Sequence, residues 1–411
     1  MMSDKKINRN LVLAASVIVN LCVGAVYAFS IFAGPLGQHF NWSKGVVMTA
    51  FTINAAISPI PMIVGGKLLD KGLAKWSIMF GGALFGLAFI LTSIAQTPLQ
   101  LYIFYGVLGG IGQGIAYSGT IGNTVRLFPD KKGLATGIVT AGFGGATIIA
   151  APIANSLIES SGVLSAFRFM GIAYMVITVV CGLFVTAAPS GYKPEGWNPP
   201  IVNNSGSGAG GNVNWTGMLG TTKFYVIALM FAIGALSGMM VTSNASVIGQ
   251  KMFGLTAATA ALYVSLYSFS NCIGRIFWGA VSDKLGRYNA LTCIYMVIAV
   301  MLLIIANVSS TMGFAIALIG IGLCFGGTLG IFPSIVAENF GMKYYGVNYG
   351  ITFIGYSAAA YFGPKIAIQV ADANNGNFTN AFYIALVLSL VGIGLTAFFK
   401  LLYKKESNKK A

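Results

Sequence analysis

Asn271 and Arg275 stand four residues apart in the stretch SNCIGRIFWGAVSDKLGR, residues 270–287. On a helix that spacing puts both side chains on one face. Arginine presents a planar fork that matches the two oxygens of a carboxylate, and the asparagine amide adds a donor beside it. The pair is therefore suited to gripping one carboxylate. The chain supplies no carboxylate of its own at that depth. Its nine acids, Asp4, Asp70, Asp130, Glu159, Glu195, Asp283, Glu338, Asp372 and Glu406, all fall outside the centres of the apolar runs. Arg275 lies eight residues before Asp283, roughly 12 Å along a helix and too far for comfortable snorkelling. A charge at the centre of a membrane helix costs about 2.5–3.5 kcal/mol on insertion scales, which makes anion binding the working hypothesis. Snorkelling, or bonding to backbone carbonyls, is the plainer alternative. Tyr117, Tyr27 and Tyr356 fall at comparable depth in other runs. Each can donate a phenolic hydrogen bond while its ring walls a cavity, or can simply pack.

The elements that must position these groups are membrane spans. The chain has 411 residues, is 56% hydrophobic and 8% charged, and has a mean hydropathy of +0.80. Runs of about 20 apolar residues are long enough to cross roughly 30 Å of hydrocarbon. They fall near 11–33, 46–65, 76–95, 99–125, 133–158, 164–188, 222–247, 258–282, 289–307, 311–337, 345–370 and 379–402, which predicts twelve helices. The first is too long for a signal-peptide core and is read as a retained helix. With the N-terminus inside, 19 of the 24 Lys and Arg fall on the cytoplasmic side. The net charge of +15 is thus a topology signal, with both termini cytoplasmic at the cell (inner) membrane, rather than a nucleic-acid footprint. All five cysteines lie in predicted helices without metal-ligand spacing, so they read as packing residues.

The punctuation of the chain recurs. GGKLLDKG at 65–72 returns as WGAVSDKLGR at 278–287, Lys131 and Lys343 are 212 residues apart, and so are Pro152 and Pro364. Two six-helix halves in parallel repeat, with the site between them near the midplane, follow as the simplest architecture. The expected divisions are an N-terminal bundle over 1–188, a Pro, Gly, Ser and Asn rich cytoplasmic linker over 189–220, a C-terminal bundle over 221–403 and a tail over 404–411.

Gly279-x-x-x-Asp283-Lys284-x-Gly286-Arg287 resembles the loop signature of the major facilitator superfamily, and Gly66-x-x-x-Asp70-Lys71-Gly72 is a shorter copy with Lys75 where the last basic residue would fall. The resemblance implies an all-α integral membrane fold and a gating role, through ion pairs, for Asp70, Lys71, Asp283, Lys284 and Arg287. More narrowly, GAVYAFSIFAGPL (24–36), GIGQGIAYSGTIGNTVRLFPDKKGLATG (110–137), GYKPEGWNPP (191–200), the 270–287 stretch and FGGTLGIFPS (325–334) resemble the oxalate/formate antiporter family and its lactate and pyruvate transporting relatives. That likeness implies cavity positions for Tyr117, Tyr27 and Tyr356, and aromatic walls from Phe143 and Phe325. It also implies a departure. The family's oxalate carrier has a lysine where this chain has Tyr356, a glutamine at Val26 and a tyrosine at Leu329. One cation balances one negative charge, which favours a monocarboxylate over oxalate. Lys365, nine residues beyond Tyr356, falls on the opposite face near the outer end, where snorkelling suits it.

The expected activity is secondary transport of a small carboxylate such as lactate, pyruvate or formate. Oxalate/formate exchange and a carboxylate sensor without net transport stand as alternatives. No helix centre holds Asp, Glu or His, and the one histidine, His39, follows the first run. A midplane proton relay is therefore not expected; a proton travelling with the substrate, or anion exchange, remains open. No nucleophile and base set, metal cluster or nucleotide loop is present, so neither an enzyme nor a cofactor is expected, and the monomer is the expected working unit.

Overall fold

The computed structural model describes residues 7–189, 191–197 and 211–409, with side chains described through residue 402. Residues 1–6, the linker positions 190 and 198–210, which include the end of GYKPEGWNPP, and residues 410–411 of the predicted tail lie outside the described residues.

The described chain is helical. Its first half contains α1 (Arg9–Val23), a 3₁₀ stretch Gly24–Ala28, α2 (Phe29–Phe40), α3 (Lys44–Ile57), α4 (Pro59–Asp70) and α5 (Ala74–Thr92). There follow α6 (Pro98–Leu101), a π-helical stretch Tyr102–Leu108, α7 (Gly109–Leu127), α8 (Lys132–Ser161) and α9 (Val163–Phe184). The second half contains α10 (Trp215–Leu219), α11 (Thr222–Thr242), α12 (Ala245–Phe253), α13 (Ala257–Leu285) and α14 (Arg287–Asn307). It ends with α15 (Thr311–Phe340), α16 (Tyr345–Asp372) and α17 (Thr379–Lys409).

Each of the twelve predicted runs is thus a helical tract, but four are not single α-helices; one of them, 222–247, is broken at Ser243 and Asn244 between α11 and α12. The first changes winding at Gly24–Ala28 and extends to Phe40, which puts His39 in the last turn of α2 rather than after it. The second bends by 40° between α3 and α4 at Ser58, where Pro59 and Pro61 deny the next turn its amide donors. The fourth carries the π segment. Nine tracts among the described residues are long and apolar enough to cross a membrane, or ten with the bent pair. The two long helices that fall short on composition, α13 and α16, are those that carry Arg275 and Tyr356.

Local chemistry sets many of the ends. Ser43, Thr256 and Ser310 accept amide hydrogen bonds at the starts of α3, α13 and α15. Thr97 and Gln100 form a reciprocal capping box at α6. Gly286, at φ +84°, lets the chain turn out of α13.

Two compact units result. The first comprises Met1–Asp130, Gly145–Asn198 and Lys343–Gly350, the second Lys131–Gly144, Pro199–Met342 and Ile351–Ala411. The start of α8 therefore belongs with the second unit and the start of α16 with the first. The core of the first unit is aromatic: Phe29 stacks on Tyr105 at 4.1 Å, and Phe32 meets Phe167 at 4.2 Å. In the second, Phe231 stacks on Phe332 at 4.2 Å, and the buried Tyr295 hydroxyl donates to the Met230 carbonyl at 2.6 Å. There α13 lies directly on α15, because Gly322, Gly326 and Gly330 leave room for its backbone; a Cβ on Gly330 would stand 2.7 Å from the Arg275 carbonyl oxygen.

Candidate functional site

Arg275 is 3% exposed and Asn271 6%. The Arg275 Nε donates to Asn271 Oδ1 at 3.2 Å, and Nη1 donates to the backbone carbonyl of Thr140 at 2.7 Å. Arg275 has no acid partner among the described residues. The guanidinium therefore does form one of the carbonyl bonds weighed from the sequence, yet its Nη2 carries no hydrogen bond among the described residues. With its Oδ1 occupied by Arg275, Asn271 is held with Nδ2 as a donor, and that buried nitrogen has no hydrogen-bond partner among the described residues. A buried unmet donor costs about 1–3 kcal/mol. The arrangement offers donors from two adjacent side chains to an acceptor the protein does not supply.

The start of α8 makes this possible. Thr140 contributes through its carbonyl, while its own hydroxyl turns back to the carbonyls of Thr136 and Gly137. Gly144, one turn on, faces the guanidinium: a Cβ there would stand 2.8 Å from Cζ and Nε and 2.9 Å from Nη2. Neither residue was singled out from the sequence. Thr140 acts through a backbone atom that side-chain patterns do not register, and Gly144 is one of 54 glycines. Tyr267, one turn before Asn271, was also missed; its buried hydroxyl is hydrogen-bonded to Thr242.

Among the other sequence candidates, Phe143 and Phe325 are buried in the second unit, with Phe325 covering Gly238. Tyr356 is in the same unit, its ring 4.6 Å from Phe353 and 6.0 Å from Phe231. Tyr117 is buried in α7 and Tyr27 stands in the 3₁₀ stretch, 38% exposed, both in the first unit. Asn271 and Arg275 are joined by a direct hydrogen bond. Lys365 rests its Nζ 3.6 Å over the Tyr361 ring, a cation–π contact.

The two signature loops form one construction twice. Asp283 accepts from the amides of Gly133 at 2.9 Å and Leu134 at 2.8 Å, at the start of α8. Asp70 accepts from Gly346 at 3.0 Å and Val347 at 3.2 Å, at the start of α16. Each carboxylate thus satisfies free first-turn N–H groups and meets the positive end of the helix dipole. The signature glycine one turn earlier explains the approach: a Cβ on Gly279 would strike the Gly133 backbone, and one on Gly66 the Gly346 backbone. The ion pairs differ between copies. Asp70 pairs with Arg126 at 2.6 Å, whereas Asp283 pairs with Arg287 at 2.7 Å, and Arg287 also bonds Glu338 at 2.9 Å. Arg126 and Glu338 are 212 residues apart, so the repeat carries opposite charges at equivalent positions. Lys71 and Lys284 are exposed and hold no ion pair among the described residues. Lys75 donates to the Leu183 carbonyl at the end of α9.

Comparison with known proteins agrees with this architecture. The model of the Major Facilitator Superfamily matches residues 13–364. The oxalate:formate antiporter of Oxalobacter formigenes is 29% identical over 93% of this chain and 89% of its own. Apicoplast pyruvate carrier 1 of Toxoplasma gondii is 24% identical over 70% of this chain and 63% of its own. The crystal structure of FucP, a major facilitator transporter in the outward conformation, superposes with a TM-score of 0.73 at 18% identity, covering 95% of this chain and 98% of that one. Spans, repeated loops and family match together establish that the chain is a multi-pass membrane protein belonging to the major facilitator superfamily of secondary transporters.

Proposed function

We propose that the protein carries small monocarboxylates of the lactate, pyruvate or formate kind by alternating access, with Arg275 and Asn271 holding the carboxylate. The observation that carries the reading is the buried Arg275, beside an Asn271 amide, with neither an acid for the guanidinium nor a partner for Asn271 Nδ2 among the described residues. Of the described residues, Arg275 and Arg287 are the charged side chains that are buried, and Arg287 is already matched by Asp283 and Glu338. One uncommitted cation suits one negative charge, because a second buried charge without a partner is strongly penalised. Tyr117, Tyr27, Tyr356, Phe143 and Phe325 complete the walls in this reading. Asp70 and Asp283 act as latches: they hold the starts of α16 and α8 in one state, and their release accompanies the exchange of access. Both termini face the cytoplasm, and the monomer suffices. Coupling proceeds by anion exchange or by a proton that accompanies the substrate, since no carboxylate among the described residues pairs with Arg275.

The name of the Oxalobacter relative supports a second reading, oxalate/formate exchange. Reconstitution into liposomes separates the two. Saturable uptake of labelled pyruvate or lactate, abolished by Arg275→Gln in protein that still purifies as a folded monomer, is expected here. Undiminished uptake by that variant defeats the proposal, and oxalate-driven counterflow favours the second reading. Saturable binding without flux would indicate a sensor.

A further inference from the structure

The three departures from α-helical geometry in the first unit meet at one buried residue. Tyr105, in the π stretch Tyr102–Leu108, is 1% exposed and stacks on Phe29. Its hydroxyl donates to the Val26 carbonyl at 3.1 Å, inside the 3₁₀ stretch Gly24–Ala28. Its own carbonyl accepts from Asn54 Nδ2 at 3.1 Å, one turn before the bend at Ser58. Each bond has a local reason. In an α-helix the Gly109 amide would take the Tyr105 carbonyl; here it bonds Phe104 and Gly106 instead, and the Tyr105 carbonyl accepts from Asn54. In the 3₁₀ stretch, Val26 receives its backbone bond from Phe29, and its second lone pair accepts the Tyr105 hydroxyl. A phenol this deep in an aromatic cluster needs such an acceptor.

The residue next to Val26 is Tyr27. A 3₁₀ winding turns the chain about 20° more per residue than an α-helix does, so the extent of this stretch fixes the direction in which Tyr27 projects. We infer that Asn54 and Tyr105 are positioning residues: the relay Asn54–Tyr105–Val26 holds the winding of the first span and thereby aims Tyr27 at the substrate. The inference rests on the reading of Tyr27 as a wall of the site.

Labelled pyruvate uptake into proteoliposomes tests it with Tyr105→Phe, which removes one oxygen and keeps the ring. Losing a neutral hydrogen bond of this kind corresponds to a roughly three- to tenfold rise in KM, with maximal rate and melting temperature close to the unsubstituted protein. Asn54→Ala, which breaks the relay at its other end, moves KM in the same direction. Adding Tyr105→Phe to Tyr27→Phe leaves KM where Tyr27→Phe alone puts it. The inference is overturned if Tyr105→Phe leaves KM unchanged while Tyr27→Phe raises it, or if Tyr105→Phe exerts its full factor in the Tyr27→Phe background. A Tyr27→Phe protein with unaltered KM removes Tyr27 from the site, and so refutes the reading on which the inference rests.

Discussion

Gly144→Ala tests the geometry around Arg275 without touching a polar group. A Cβ at position 144 would stand 2.8 Å from the Arg275 Cζ and Nε and 2.9 Å from Nη2. Ordinary carbon contacts lie near 3.5–4.0 Å, so the guanidinium must retreat by roughly 0.7–1 Å. Its freedom to do so is limited, because Nη1 is bonded to the Thr140 carbonyl at 2.7 Å and Nε to Asn271 at 3.2 Å. A retreat of that size stretches at least one of these bonds past hydrogen-bonding range and turns the fork away from any bound carboxylate. Hydrogen bonds to charged groups are worth about 1.5–3 kcal/mol, which corresponds to a loss of roughly ten- to a hundredfold in pyruvate affinity. General destabilisation should not be the cause, since alanine is favoured over glycine inside a helix by about 0.5–1 kcal/mol. Calorimetric titration of pyruvate into purified Gly144→Ala protein, with its melting curve recorded alongside, supplies both numbers. An unchanged Kd would show that the guanidinium can give way freely, and the argument that Thr140 and Asn271 fix it would be wrong.

The two latches make separable predictions by hydrogen exchange. Asp283→Asn should deprotect the amides of Gly133 and Leu134 and spare those of Gly346 and Val347, while Asp70→Asn does the reverse; simultaneous loss in both variants would contradict two independent caps. Glu338→Gln removes one of two acids from Arg287, and with the Glu338 side chain 37% exposed its effect on stability should stay within about 1 kcal/mol. A fall in melting temperature larger than that of Asp283→Asn would overturn this ranking. In competition uptake, unlabelled lactate or pyruvate should displace labelled pyruvate at concentrations at which oxalate does not; equal potency of oxalate would refute the single-charge argument.

The apolar runs and the 212-residue repeat made the helices legible in the sequence, because membrane thickness sets their length and composition marks them. The carboxylate pair was legible for a related reason: a buried arginine among apolar residues is conspicuous. The signature glycines and aspartates were legible as a repeated motif, but not as caps, since their partners are amide groups 149–277 residues away in the chain and carry no residue-type signal. For the same reason Thr140 was hidden. The 3₁₀ and π stretches lack an internal proline and depend on bonds from Tyr105 to other helices, so local propensity gave no warning of them. At the bend in the second tract Pro59 carries a signal that the sequence reading of 46–65 as one apolar run passed over.

The central claim is that the charge on Arg275 is reserved for a substrate carboxylate. Calorimetric titration of pyruvate into the purified protein and its Arg275→Gln variant tests this without dependence on coupling, direction or access. Saturable one-site binding to the unsubstituted protein is expected, with no measurable binding to a folded Arg275→Gln protein. Binding of pyruvate to that variant with an unchanged Kd would contradict the claim.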